Sequence, residues 1–302
     1  MIAAVAAFAA GASAQPLQSF NPDIARAGMA DAGMASAGGA FAIYSDAAAS
    51  LFDFGRMQVG FSYLPDGGSL RGDYYAAGGY RSFSEKHTLL LGTRFACGPN
   101  YVFIGTDDIF EQSYRRFDYS VDAGYAYMVN NYLGLSLTAR YLHQTLGVEG
   151  SAGALGFDLG AYAQLPLNNM LDGAWLGLAV KISDFGVAFD DRLQMPVGGS
   201  LGVTLHAPLR DIHSLTASLD MGYVPAASDL RSFGAGAGVQ YTFMELVSLR
   251  AGYHLSDSKG FDFGSLGAGI RFMHLRFDMA WTIAGRECPF RNAVRIGVGL
   301  DF

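Results

Sequence analysis

Charge is scarce in this sequence, and where it occurs it is set among greasy neighbours. Arg140, Lys181, Arg250, Arg271, Arg276 and Arg295 are each flanked by apolar residues, as are Asp118, Asp122, Asp158, Asp220, Asp278 and Asp301. Two kinds of chemistry are open to such a set: the charges pair with one another, or they line a polar conduit. Both signs are interleaved and no ring of one sign stands out, which favours pairing. Other chemistry has less support. The histidines (His87, His143, His206, His213, His254, His274) are scattered, and no pair has metal-ligand spacing with a third ligand nearby. Asp107-Asp108 is a carboxylate pair without a partnered base, so no enzyme is expected. The glycines of Gly234-Ala235-Gly236-Ala237-Gly238 recur every second residue inside a strand pattern, whereas a phosphate loop joins a strand to a helix. No cofactor and no metal follows from these residues. Cys97 and Cys288 are too few for a four-cysteine zinc site or a disulfide framework. Whether a disulfide joins them or both stay thiols depends on a separation that sequence does not give.

The elements that position these charges have a period of two. In the last stretch, Val294, Ile296, Val298, Leu300 and Phe302 alternate with Arg295, Gly297, Gly299 and Asp301. Side chains two apart share a face of a strand, so one face is wholly apolar and the other charged or bare. The pattern resembles the last strand of a bacterial outer-membrane barrel, in which the assembly machinery reads a terminal Phe; Phe302 and Leu300 are the corresponding signal here. The same alternation recurs upstream from Gly55. Met57, Val59, Phe61 and Tyr63 share a face, and strands follow at about 73–83 and 88–96. Phe117 to Tyr127 sets aromatics against Asp118 and Asp122, and Leu133 to Tyr141 sets leucines against Arg140. Leu155, Phe157 and Leu159 oppose Asp158, while Val180 and Ile182 flank Lys181. Further strands run through Leu201–Leu205, Leu215–Met221, Phe233–Phe243, Val247–Tyr253, Leu266–Phe272 and Leu275–Ile283. With the terminal strand this makes fourteen. The expected fold is therefore all-β: a transmembrane antiparallel barrel with apolar side chains to lipid and charges to the lumen. A cation facing lipid at mid-depth costs about 2–4 kcal/mol, which explains why every charge above falls on the other face.

Connections supply an independent check. With both termini in the periplasm, the turns after even-numbered strands should be short. They are Ser84–His87, Asn130-Asn131, Pro166–Asp172, Ala207–Ile212, Met244-Glu245 and Met273-His274. Those after odd strands are longer: 64–72, 97–116, 144–153, 184–196, 224–231, 256–262 and 285–292. In the second of these, Tyr101-Val102-Phe103-Ile104 is apolar enough to extend a strand beyond the membrane.

Composition agrees. In 302 residues, 51% are hydrophobic and only 16% charged, too little charge for a soluble surface of this size, yet no internal apolar run reaches the ~18 residues of a spanning helix. Gly 40 suits a crowded inner face, and Tyr 16 with Phe 22 suits interfacial girdles. A net charge of −7 gives no footprint for nucleic acid. Residues 2–14 are small and apolar and end in Ala12-Ser13-Ala14, an Ala-x-Ala cleavage pattern, so 1–14 reads as a signal peptide although it lacks a basic start. Residues 15–54 are rich in Ala and Gly and too small for a core of their own. They read as a hatch or plug inside the barrel of residues 55–302, with a short helix over Phe41–Phe52 capped by Ser45 or Asp46.

The chain resembles the PorV/PorQ group of outer-membrane proteins within the wider FadL-like superfamily. The resemblance is carried by Ala25-Arg26-Ala27-Gly28-Met29, Asp122-Ala123-Gly124-Tyr125-Ala126-Tyr127, Leu135–Tyr141, Phe157-Asp158-Leu159-Gly160, Met195-Pro196, Leu249–Tyr253 and Leu275–Ala280. Where that group often has an Asn-Pro-Ala-Gly turn, this chain has Ser50-Leu51-Phe52-Asp53-Phe54-Gly55. The resemblance implies a non-enzymatic component of type IX protein secretion in the outer membrane of Bacteroidetes. Its partners would be lipid, the barrel-assembly machinery, and secretion or cargo proteins. The alternative is a FadL-like channel for small hydrophobic solutes, with the plug as gate.

Overall fold

The computed structural model describes residues 17, 20–36, 38–53, 55–65, 72–104, 111–147, 150–168, 171–190, 193, 195, 197–210, 212–224, 233–257, 261–286, 288 and 291–302. The expected signal peptide and Asp107-Asp108 lie outside them. Fourteen antiparallel strands close into one barrel: β1 Met57–Leu64, β2 Asp73–Ser84, β3 His87–Ile104, β4 Glu111–Asn130, β5 Leu133–Thr145, β6 Ser151–Pro166, β7 Trp175–Ala188, β8 Gly198–Arg210, β9 His213–Tyr223, β10 Phe233–Phe243, β11 Val247–Ser256, β12 Phe263–Phe272, β13 Leu275–Ala284 and β14 Val294–Asp301. Each pairs with its neighbours in sequence, and β1 pairs with β14 from Gln58↔Asp301 to Tyr63↔Ile296. Closure satisfies every wall strand on both sides, the requirement for spanning lipid with strands. The outermost residue takes part: Phe302 N donates to Met57 O at 2.8 Å, and Phe302 O accepts from Arg56 and Met57 N. Leu300 lies opposite Val59 on the seam.

The pleat sorts the residues as the alternation requires. Leu135, Leu137, Leu159, Val180, Leu219, Phe277 and Trp281 are exposed on the outer face, while Asp122, Thr138, Arg140, Asp158 and Arg295 are buried inside. A barrel with such a belt and a charged interior is an outer-membrane protein.

Several strand ends differ from the expected connections. Pairing runs into the expected connection 97–116, as the apolar Tyr101–Ile104 allowed. β3 and β4 run 18 and 20 residues and stay paired to Ile104↔Glu111, twice the ~9–11 residues that cross a bilayer. β7 continues through residues 184–188 instead of ending at Ser183, because a bulge re-forms the pairing: Leu159 faces Ile182 but Phe157 faces Phe185. β6 likewise starts at Ser151, inside the predicted connection 144–153.

Residues 20–36 and 38–53 lie inside the ring. Asp23 caps a single α-helical turn, α1 Ile24–Ala27, by accepting from Ala25 N at 2.9 Å. Asp46, one of the two caps foreseen, accepts from Ala48 N at 2.9 Å, but the segment it starts, Ala47–Phe52, is a 3-10 helix, as is Ala42–Tyr44. The wall makes room with inward glycines. A Cβ on Gly238 would stand 2.5 Å from Met29 Cβ, and one on Gly252 would overlap the Met29 backbone. The glycine repeat of β10 is thus a groove in which the segment lies.

Candidate functional site

Two zones stand out in the interior along the barrel axis. At the loop end, buried Leu64, Tyr74, Leu142, Ala154 and Phe263 form an apolar mouth. Leu17 and Phe20 sit within it, Phe20 against Tyr74 with ring centroids 5.4 Å apart. The strand-end residues face inward here because their parity continues from the polar positions below. Sequence reasoning, which followed charges, missed the change from polar to apolar along the same face.

Below the mouth lies a layer of ions. Arg140 and Asp122 are directly opposed on β5 and β4. Arg140 donates to Asp122 at 2.5 Å, Asp184 at 2.6 Å and Asp158 at 3.2 Å. Lys181 Nζ is 2.9 Å from Asp158. Ser120 donates to Asp122, and Tyr44 of the inner segment does so at 3.3 Å. Burial, with Asp122 beside it, raises the Tyr44 hydroxyl pKa, so it stays a proton donor. Arg94 bonds Ser120 Oγ at 3.1 Å and stacks over Tyr44, 4.6 Å from its ring centroid. A guanidinium has five donors in a fixed fork, which is why Arg140 can hold three carboxylates at once.

The remaining sequence-predicted charges fall into separate groups. Arg250 donates to Asp278 at 2.6 Å, and Arg276 is 2.9 Å from the same carboxylate. Asp220 pairs with Arg26 of the inner segment at 3.2 Å, and Arg295 reaches Asp31 at 3.5 Å. Arg271 is exposed at the turn-end rim, 3.6 Å from Asp301. Asp118 pairs not with a predicted cation but with Arg116 at 2.6 Å.

Three ionic residues of the wall were missed, besides Arg26 and Asp31 of the inner segment. Arg94 was legible, since Leu89 and Leu91 point out and Leu90 and Arg94 must then point in. Arg116 was assigned to a connection. Asp184 carried no signal: the bulge gives it a positive φ of 59° and turns it inward beside Ser183, against the parity of β7. Its N–H donates to Asp158 at 2.9 Å, fixing the turn.

Cys97 and Cys288 are not bonded to each other; Cys97 is half-buried on β3, and Cys288 is buried with the apolar cluster. Among the described residues no His, Cys, Asp and Glu cluster is arranged to hold a metal.

No protein-family model matches this chain, and no curated protein does. Solved structures do match in fold. The Pseudomonas putida toluene transporter TodX aligns over 91% of this chain and 96% of its own, with TM-score 0.57 and 14% identity. The CymD monoaromatic hydrocarbon channel aligns over 92% and 97%, with TM-score 0.61 and 13% identity. A Pseudomonas aeruginosa FadL homologue aligns over 92% and 98%, with TM-score 0.53 and 14% identity. The fold is thus that of these FadL-like outer-membrane barrels. At such identities the likeness shows the fold alone.

Proposed function

We propose that this protein is an outer-membrane channel for small hydrophobic solutes, with residues 15–54 as its hatch. The observation that carries the reading is the apolar mouth filled by Leu17 and Phe20. A solute that prefers hydrocarbon gains about 25 cal/mol for each Å² it removes from water. It would find in the mouth the surface those two side chains now cover. TodX is a toluene transporter and CymD a monoaromatic hydrocarbon channel, and solutes of that size suit such a mouth. The ion layer beneath opposes straight passage of an apolar molecule, so the inner segment has to shift for a solute to proceed.

The test is uptake of a radiolabelled monoaromatic hydrocarbon by cells whose outer membrane carries the chain, against cells without it. Uptake should rise several-fold, and Phe20→Asp, which puts a charge in the mouth, should return it to background. Equal uptake with and without the chain rejects the proposal. The secretion role implied by the PorV/PorQ resemblance has its support in those sequence motifs. Stable co-purification of a secretion or cargo protein, in place of solute uptake, is the outcome that would restore it.

A further inference from the structure

Three cavities of the lumen converge on one side chain. The turn-end cavity, about 420 Å³, is lined by Asp53, Gln164, His213, Glu245, Arg276 and Arg26. A loop-end cavity of about 230 Å³ is lined by Asp220, Gly222, Val224, Gly234, His254 and Arg26. A central chamber of about 190 Å³ is lined by Arg94, Arg140, Lys181, Ser183, Ser200 and Arg26. Ser200 and Met34 also line both of the last two. The two end cavities share no residue with the apolar cluster at the mouth, and the central chamber meets it at Tyr44 alone among the described residues.

Arg26 stands where the three meet. Its Nη2 donates to Asp31 O at 2.7 Å within the hatch and to Asp220 Oδ2 at 3.2 Å on β9. Asp220 Oδ2 also accepts from Met34 N at 2.7 Å. The pair uses a single N–O contact and not the two-pronged fork a guanidinium and carboxylate can make; Arg26 Nε and Asp220 Oδ1 have no protein partner. Among the described residues it is the one ion pair between the hatch and β9, beside the Met34 N–H bond to the same carboxylate. This pair closes the junction.

We propose that these cavities form a second route, for water and small ions, gated by the Arg26–Asp220 pair and separate from the hydrophobic mouth. The central chamber presents Arg26, Arg94, Arg140 and Lys181 against Asp184, its sole lining carboxylate among the described residues. Asp122 and Asp158, which pair with Arg140, do not line it. A wall of this sign favours chloride over potassium.

The full-length chain, reconstituted in planar lipid bilayers in potassium chloride, supplies the test. Arg26→Ala should raise single-channel conductance several-fold over wild type, with a reversal potential in a salt gradient of the sign for anion preference. Arg26→Lys, which keeps the charge, should stay near wild type. Ser200→Cys, treated with a bulky methanethiosulfonate reagent, should lose conductance, with the treated wild-type chain as control for Cys97 and Cys288. Arg26→Ala that runs as a heat-modifiable folded barrel but conducts no more than wild type overturns the proposal. So does a Ser200→Cys chain that is modified by the reagent and conducts as before; that result decides the matter alone if Arg26→Ala fails to fold. Either failure leaves the hydrocarbon reading standing, since that reading is measured by uptake.

Discussion

Replacing Arg140 by Met tests the ion layer most directly. The side chain is 4% exposed and answers three carboxylates. After the change, Asp158 keeps Lys181 at 2.9 Å and the Asp184 N–H, and Asp184, 20% exposed, relaxes into the central chamber. Asp122 has no such escape. It is fully buried, and of its hydrogen bonds among the described residues only those from the Ser120 and Tyr44 hydroxyls remain, with Arg94 reaching it through the same Ser120 Oγ. Leaving a buried charge without its partner costs about 3–5 kcal/mol. Urea unfolding of the barrel in lipid vesicles, followed by the fluorescence of Trp175 and Trp281, should show a loss of that size. Adding Asp122→Asn removes the stranded charge. The double variant should recover part of the loss, with a coupling of about 1–3 kcal/mol in the cycle. A single-variant loss below ~1 kcal/mol, or a cycle additive to within ~0.5 kcal/mol, would refute the account of Arg140 as the hub that neutralises Asp122.

Two further predictions concern the hatch. Gly252→Val places side-chain atoms where the Met29 backbone now lies, and a backbone cannot swing aside as a flexible side chain does, so the turn after α1 has to move. Tryptic cleavage after Arg26 should become several-fold faster, and an unchanged rate would count against the close seating. Asp46 is buried, and burial pushes its carboxyl up to about 6. Released from the lumen, its pKa returns to about 3.9. Between those values the seated form holds more protons than the released one, so seating weakens as pH rises from about 4 to about 6 and is strongest below. Hatch cleavage, compared at each pH with that of Asp46→Asn, should increase over this window in the wild-type chain alone; parallel profiles reject the assignment.

Most of the wall was legible because a single rule, apolar out and polar in, acts on every residue of a spanning strand. Arg140 and Asp122 could be placed on one face, and their direct opposition follows once the turn at Asn130-Asn131 is known. The rule fails wherever the backbone departs from the pleat. The bulge at Asp184 reverses parity from there to the end of β7, so that Val187 faces out, and nothing in Ile182-Ser183-Asp184-Phe185 announces it. The rule is silent above the membrane, where Tyr101–Ile104 stays paired without lipid to sort its faces. It is silent too about the hatch, whose path is set by long-range fit. Arg26 to Asp220 spans 194 positions, and the glycines that admit Met29 lie on β10 and β11. The apolar mouth escaped for a related reason: its members are spread one or two to a strand, and only closure gathers them.

The seam between β1 and β14 carries a consequence for synthesis. Its two partners, Gln58 and Asp301, stand at opposite ends of the ring-forming sequence, so this contact has nearly the largest separation the chain permits. A nascent polypeptide emerging in order cannot complete the cylinder until almost all of it has been made. Until then β1 offers an unmatched row of amides and carbonyls to any stray strand. Late closure of the cylinder is therefore demanded by the topology itself.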